Sequence, residues 1–169
     1  RTASLSRQLS LFFKRYINEV CRGNVGRGGE KFSLFGREKK SERDVHIVYS
    51  GGDDIFLLGA WDDIVELAVD LRRAFQRFTS GKLHFSAGIG FFKDKCPVAA
   101  MARQTGVLES LAKGLRPAKD AVALFGTSLS GRSADTVKER AEAYGWDDFI
   151  DGVCGEKLAF LRENLAWNE

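Results

Sequence analysis

Cysteine is scarce in this chain of 169 residues. There are three, Cys21, Cys96 and Cys154, odd in number and far apart, with no Cys-x-x-Cys pair. That pattern argues against a zinc ribbon and against a disulfide framework. The expectation is free, buried thiols in a reducing cytoplasm. Long apolar runs are missing as well. No stretch reaches the length of a membrane span, and no signal-peptide pattern opens the chain, so no membrane partner is expected. Internal repeats and low-complexity tracts are absent. Histidine is limited to His46 and His84. The sequence sets no second histidine or carboxylate beside His84, which reads as an ordinary strand residue. Net charge is only +3. Its placement is uneven, however: residues 1–43 hold 11 Lys/Arg against 4 Asp/Glu, and the remainder holds 15 against 19. A basic first quarter can face a polyanion, or it can be a solvated helix face followed by a loop.

What is present supports a folded domain. Hydrophobic residues make up 44%, with 13 Phe and three Trp, enough for a real core. The length suits one domain with an appendage. The chain opens on Arg1, not Met, almost directly on a helical pattern, so we expect a piece of something longer.

The organising stretch is Tyr49-Ser50-Gly51-Gly52-Asp53-Asp54-Ile55. Apolar runs flank it, Val45-His46-Ile47-Val48 before and Phe56-Leu57-Leu58 after. Each reads as a short, largely buried strand, and so tight a joint reads as a β-hairpin with glycines where positive φ is needed. Two carboxylates then sit at the tip. Hard oxygen ligands there suit a divalent cation, although Gly-Asp is also ordinary turn chemistry.

The remaining elements follow from periodicity. Leu5, Leu9, Phe12, Phe13, Tyr16, Ile17 and Val20 predict a helix over 4–20. Residues 21–44 are Gly-rich and then densely charged, with a short strand expected at 31–35. No strand precedes the glycines and no GKS or GKT closes them, so they are not a P-loop. An amphipathic helix follows over 61–78, with Asp62 and Asp63 as helix-start residues rather than metal ligands. A strand is expected over 82–91, where Ser86, Ala87, Gly88 and Gly90 let a backbone or a nucleotide approach closely. A helix is expected over 97–115 and a strand over 120–126. We place a domain boundary near residue 130, with all-helical segments at 134–144, 147–153 and 156–167.

Helix, strand, turn, strand, helix, strand, helix, strand becomes a ferredoxin-like split βαβ plan once one strand is added in front. The expected class is therefore α+β, an antiparallel sheet with helices on one face. On that plan, Gly51-Gly52-Asp53-Asp54 at a hairpin tip resembles the palm domains of nucleotide polymerases and cyclases. It resembles most the large subunit of type III-A CRISPR effector complexes, the cyclic-oligoadenylate synthase. Ser4-Leu5-Ser6-Arg7-Gln8-Leu9-Ser10-Leu11-Phe12-Phe13 is similar to that family's first palm helix. So are Val48-Tyr49-Ser50-Gly51-Gly52-Asp53-Asp54, Ser86-Ala87-Gly88-Ile89, Ala112-Lys113-Gly114 and Trp146-Asp147-Asp148-Phe149 to its later segments. The resemblance takes residues 1–130 as the second palm domain and 131–169 as the start of a C-terminal helical domain.

The resemblance implies metal-dependent conversion of ATP into cyclic oligoadenylates, switched on by target RNA. It implies Asp53 and Asp54 as catalytic carboxylates holding Mg²⁺ or Mn²⁺. Ser50, Gly51, Gly52, Ser86, Gly88 and Lys113 are the expected nucleotide-binding residues. Implied partners are ATP, other effector subunits, crRNA and target RNA, and an unpaired sheet edge allows a homodimer of the isolated piece. The family's palm opens with a strand carrying a further metal-binding Asp, preceded by a nuclease and a first palm domain. This sequence starts after that point, so the piece alone is expected to be inactive. Two other readings stay open: a diguanylate cyclase, whose turn reads GGDEF where this one has Ile55, and a non-catalytic palm serving as a scaffold for RNA and protein partners.

Overall fold

The computed structural model describes residues 2–25, 30–35, 42–51, 53–127 and 134–165. It divides into two compact units, Arg1–His84 and Phe85–Glu169.

In the first unit, α1 (Thr2–Leu11) runs through a π-helical turn (Phe12–Tyr16) into α2 (Ile17–Cys21). The residues at both joints keep right-handed helical angles, so the helix is continuous. Phe12, Phe13, Ile17 and Val20 are buried, as the apolar spacing predicts. Strands β1 (Val45–Gly51) and β2 (Asp54–Gly59) form the expected antiparallel hairpin. They are not largely buried: Val48 is 49% and Tyr49 56% exposed. Helix α3 (Trp61–Thr79) supplies most of the core through Val65, Leu67, Val69, Leu71, Ala74 and Phe75. Its two ends differ from the periodic expectation, because Trp61 and Phe78 are exposed. Ser80, in the left-handed region with φ 53°, stops it, and the Gly81 N–H caps the Gln76 carbonyl.

Residues 30–35 form no strand. They lie along α3, held by its carboxylates. Asp70 accepts the Phe32 N–H at 2.9 Å and Glu66 accepts the Leu34 N–H at 2.8 Å. Arg43 closes this clasp, 2.7 Å from Asp70 with both side chains buried, and donates to the Phe32 carbonyl at 3.2 Å. Asp63 accepts the Asp44 N–H at 2.9 Å, which fixes the start of β1 to the start of α3.

The second unit corrects the single antiparallel sheet that the element order suggested. The α+β class holds, but the described strands make two sheets, β1-β2 and β3-β4-β5. Strand β3 (Ala87–Ile89) pairs with β4 (Ala121–Phe125) in parallel, because α4 (Val98–Leu115) crosses between them. β3 is three residues long, not ten. Beyond its ends the polar groups bond elsewhere: the Ser86 hydroxyl donates to the Lys119 carbonyl at 2.7 Å, and the Phe91 N–H donates to Thr127 Oγ1 at 3.1 Å.

Helix α5 (Ala134–Arg140) gives way directly to β5 (Ala141–Gly145), antiparallel to β4. Part of the predicted 134–144 helix is therefore a strand. Ala141-Glu142-Ala143-Tyr144 favours helix locally, but the free edge of β4 offers it a ladder, and Ala143 stands opposite Ala123. Leu108, Ala112, Ala121, Ala123 and Val137 make the core of this unit. Trp146 is fully buried, its indole N–H donating to the Phe85 carbonyl at 3.0 Å. A π-helical stretch (Asp148–Lys157) and α6 (Leu158–Asn164) end the described chain.

Candidate metal and nucleotide site

The hairpin register defines the tip. Ser50 stands opposite Ile55 and Gly51 opposite Asp54, which leaves Gly52 and Asp53 as a two-residue connection. Gly52 lies outside the described residues. Gly51 lacks positive φ. Its role is therefore not the conformational one assumed from the sequence.

A Cβ on Gly51 would stand 2.6 Å from the Tyr49 hydroxyl oxygen and 2.9 Å from its Cζ. Tyr49, two residues earlier on the same strand face, has folded its ring over the glycine. Asp54, as the register partner of Gly51, rises from that face too. Ser50 points to the other face, where its hydroxyl donates to the Phe13 carbonyl at 2.6 Å.

Asp53 and Asp54 are exposed, and neither pairs with a cation among the described residues. Nor do the described residues contain a cluster of three or more His, Cys, Asp or Glu able to hold a metal. The tip thus offers two adjacent carboxylates. That donor set fits Mg²⁺ or Mn²⁺, since a small hard cation takes one or two protein carboxylates and completes its shell with water and substrate phosphate. Asp62 and Asp63 belong to α3, and the Asp63 carboxylate is already used on Asp44.

The other expected site residues lie in the second unit. Gly88 faces α4: a Cβ there would stand 2.5 Å from the Thr105 carbonyl oxygen and 2.6 Å from the Glu109 nitrogen. Its smallness serves close strand–helix packing. The Ser86 hydroxyl is bonded to Lys119, and Lys113 sits 2.6 Å from Glu109 one helical turn away. His84 is exposed and lies outside any strand. Two participants had no local signature in the sequence, the Phe13 carbonyl and the bulge at Val48. Tyr49 had one: an aromatic ring two residues before a strand glycine shares its face.

A two-stranded hairpin carrying consecutive aspartates at its turn, backed by helices, defines a palm-type α+β domain. Residues 1–123 match the family model described as Cas10/Cmr2, second palm domain, and the chain belongs to that family. It is 42% identical over its whole length to the CRISPR system single-strand-specific deoxyribonuclease Cas10/Csm1 (subtype III-A) of Mycobacterium tuberculosis. It is 41% identical, over 98% of the chain, to the protein of the same name from Enterococcus italicus. The chain spans 18% of the length of each of these relatives. Among solved structures, a Csm1-Csm4 cassette in complex with one ATP superposes with a TM-score of 0.70 at 37% identity, covering 87% of this chain and 20% of that one. A Csm1-Csm4 cassette in complex with cA4 gives 0.69 at 35% over the same shares. These relationships favour the CRISPR reading over the diguanylate cyclase.

Proposed function

We propose that this chain is the catalytic palm of a type III-A CRISPR effector large subunit, which joins ATP into cyclic oligoadenylates when the complex binds target RNA. The observation that carries this is the tip itself, two consecutive exposed aspartates, Asp53 in the hairpin connection and Asp54 opening β2, in a family whose solved members hold ATP and cA4. Asp53 and Asp54 hold the divalent ion, Mg²⁺ or Mn²⁺. Bound there, the ion supplies Lewis acidity at the α-phosphate and favours ionisation of the attacking 3′-hydroxyl. Gly51 and Gly52 bind the nucleotide's phosphates, and the Tyr49 ring must swing off Gly51 before a phosphate can reach its backbone. Ser86, Gly88 and Lys113 leave this assignment, since packing and local pairing account for them.

The wider reading is also proposed. Residues 1–130 constitute the palm, and the C-terminal helical domain opens within 131–169, after β5 has paired with β4, in keeping with a family match that ends at residue 123. The partners are the other effector subunits, crRNA and target RNA, with the basic residues of 1–43 suited to a polyanion. The protein works in the cytoplasm. The isolated piece associates through an open sheet edge.

The test uses the full-length protein in its effector complex with target RNA. Asp53→Ala/Asp54→Ala is expected to lower cyclic oligoadenylate formation by roughly 10³-fold or more, the scale of several kcal/mol of lost charge stabilisation. Thermal unfolding should be unchanged, because both side chains are exposed. Product formed from ATP at the normal rate by this variant overturns the metal assignment, and a preference for GTP overturns the substrate.

A further inference from the structure

Strand β1 does not alternate along its whole length. Val45 and Ile47 are half-buried and His46 is exposed, so an unbroken strand would turn position 49 inward and position 50 outward. The register instead slips. Ile47 stands opposite Leu57 and Tyr49 opposite Phe56, one partner residue for two, so Val48 is a β-bulge. The bulge reverses the parity of everything after it. Tyr49 comes out, Ser50 goes in, and the Ser50 hydroxyl meets the Phe13 carbonyl, 37 residues away in sequence, at 2.6 Å.

The acceptor is as unusual as the donor strand. Phe13 lies in the π-helical turn, where the Ile17 N–H reaches back five residues to the Phe12 carbonyl. A π turn inside an α-helix is an irregularity often found at functional sites. Here it is braced from below. The Phe12 ring is fully buried and packs against Phe13, Tyr16, Phe75 and Phe78, with centroids 5.1 to 5.4 Å apart. Phe13 also stacks on Phe75 at 5.8 Å. A rigid path thus runs from α3 through the aromatic cluster to the π turn, and from there through one hydrogen bond to the strand residue three positions before Asp53. Two local departures from regular structure, the bulge and the π turn, meet in that bond.

We propose that Ser50 is a positioning residue whose hydroxyl locks the carboxylate tip to the π-helical turn and so fixes where Asp53 and Asp54 stand. This rests on the reading of those aspartates as metal ligands. It replaces direct nucleotide contact as the role of Ser50, because the hydroxyl proton is committed to Phe13. A tip held by two short strands alone is free to rock, and a displacement of about 1 Å in a reacting group can cost on the order of a hundredfold in rate.

The experiment compares Ser50→Ala and Ser50→Thr in the full-length protein within its effector complex. Initial rates are measured against ATP and against Mn²⁺, and amide exchange is followed at Ile17, Asn18 and residues 53–55. Ser50→Ala is expected to lower kcat by about ten- to a hundredfold, to raise the Mn²⁺ concentration needed for half-maximal rate, and to leave KM for ATP within about twofold. Ser50→Thr, which keeps the hydroxyl, restores the rate. Exchange at the π turn and at the tip accelerates together in Ser50→Ala and is normal in Ser50→Thr. A purely structural role would lower the melting temperature without moving the Mn²⁺ dependence. An unchanged kcat in Ser50→Ala overturns the proposal. So does a raised KM with unchanged kcat, which would make Ser50 a nucleotide contact, or a threonine variant no better than alanine. The Asp53→Ala/Asp54→Ala variant in the same assay separates the two failures. If it stays active the metal reading is wrong, and the exchange data alone then decide whether Ser50 holds the turn.

Discussion

Gly51 and Gly88 look alike in the sequence, each a small residue in a strand and each a candidate for making room for a nucleotide. The structure separates them by what stands where a Cβ would go. At Gly88 it is fixed backbone, the Thr105 carbonyl and the Glu109 nitrogen of α4. At Gly51 it is the far end of the Tyr49 side chain, which can rotate away. Space closed by backbone is packing, whereas space closed by a movable ring can be opened. The two units differ in the same sense elsewhere. The first closes its surface loop with buried charge, Arg43 against Asp70, while the second buries Leu108, Ala112, Ala121, Ala123 and Val137.

The largest stability effect should fall on the buried charge. Asp70 is 1% exposed and serves both Arg43 and the Phe32 N–H. Asp70→Ala leaves a buried guanidinium without its nearest partner and an amide without an acceptor. The expected loss is about 3–5 kcal/mol, read as lost amide-exchange protection at Phe32 and along α3. Protection of β4 and α4 should survive. Equal loss in both would show that the units unfold as one.

Glycine gives a sharper contrast at smaller cost. Gly88→Ala pushes a methyl into the α4 backbone and should destabilise by about 1–3 kcal/mol. Gly51→Ala displaces only the Tyr49 ring and should stay within about 0.5 kcal/mol. Denaturation of the two variants side by side is the measurement, and equal costs would remove the distinction between them.

This contrast also marks what could be read from the sequence. The hairpin, α3, α4 and β4 were legible because their signals are local: turn residues between apolar runs, a 3.6-residue period, a short apolar run. The acidic tip was legible because Asp53 and Asp54 are neighbours in the chain. Strand β5 was not, since its local preference is helical and its ladder partner is about 20 residues away. Residues 30–35 read as a strand in the sequence, because the acceptors that dock them are side chains on α3, more than 30 residues on. Ser50 could be assigned to a strand end but not to Phe13, because a bulge reverses parity without changing composition. Gly88 carried the right property, smallness, with no indication of which neighbour it served.

The two half-buried thiols extend the comparison to pH, with the smallest expected effect. Burial raises both Cys21 and Cys154 above the ordinary value of 9.0. In the first unit the positive charge of Arg43 opposes the rise at Cys21. In the second, nothing opposes it, and Cys154 is pushed up to about 11. The folded chain therefore keeps the Cys154 proton over a range in which the unfolded chain has lost it. Stability from this site is present in full below pH 9.0 and declines as pH rises towards about 11, because there the unfolded state binds fewer protons. Alkylation by iodoacetamide, which needs the thiolate, should keep rising at Cys154 by about tenfold per pH unit up to that value, while Cys21 levels off earlier. Cys154→Ser should remove the later phase and flatten the alkaline loss of stability. Half-reaction of Cys154 near 9.0 would mean that the π-helical stretch around it opens readily to water, and the second unit would then be the looser of the two at its C-terminal end.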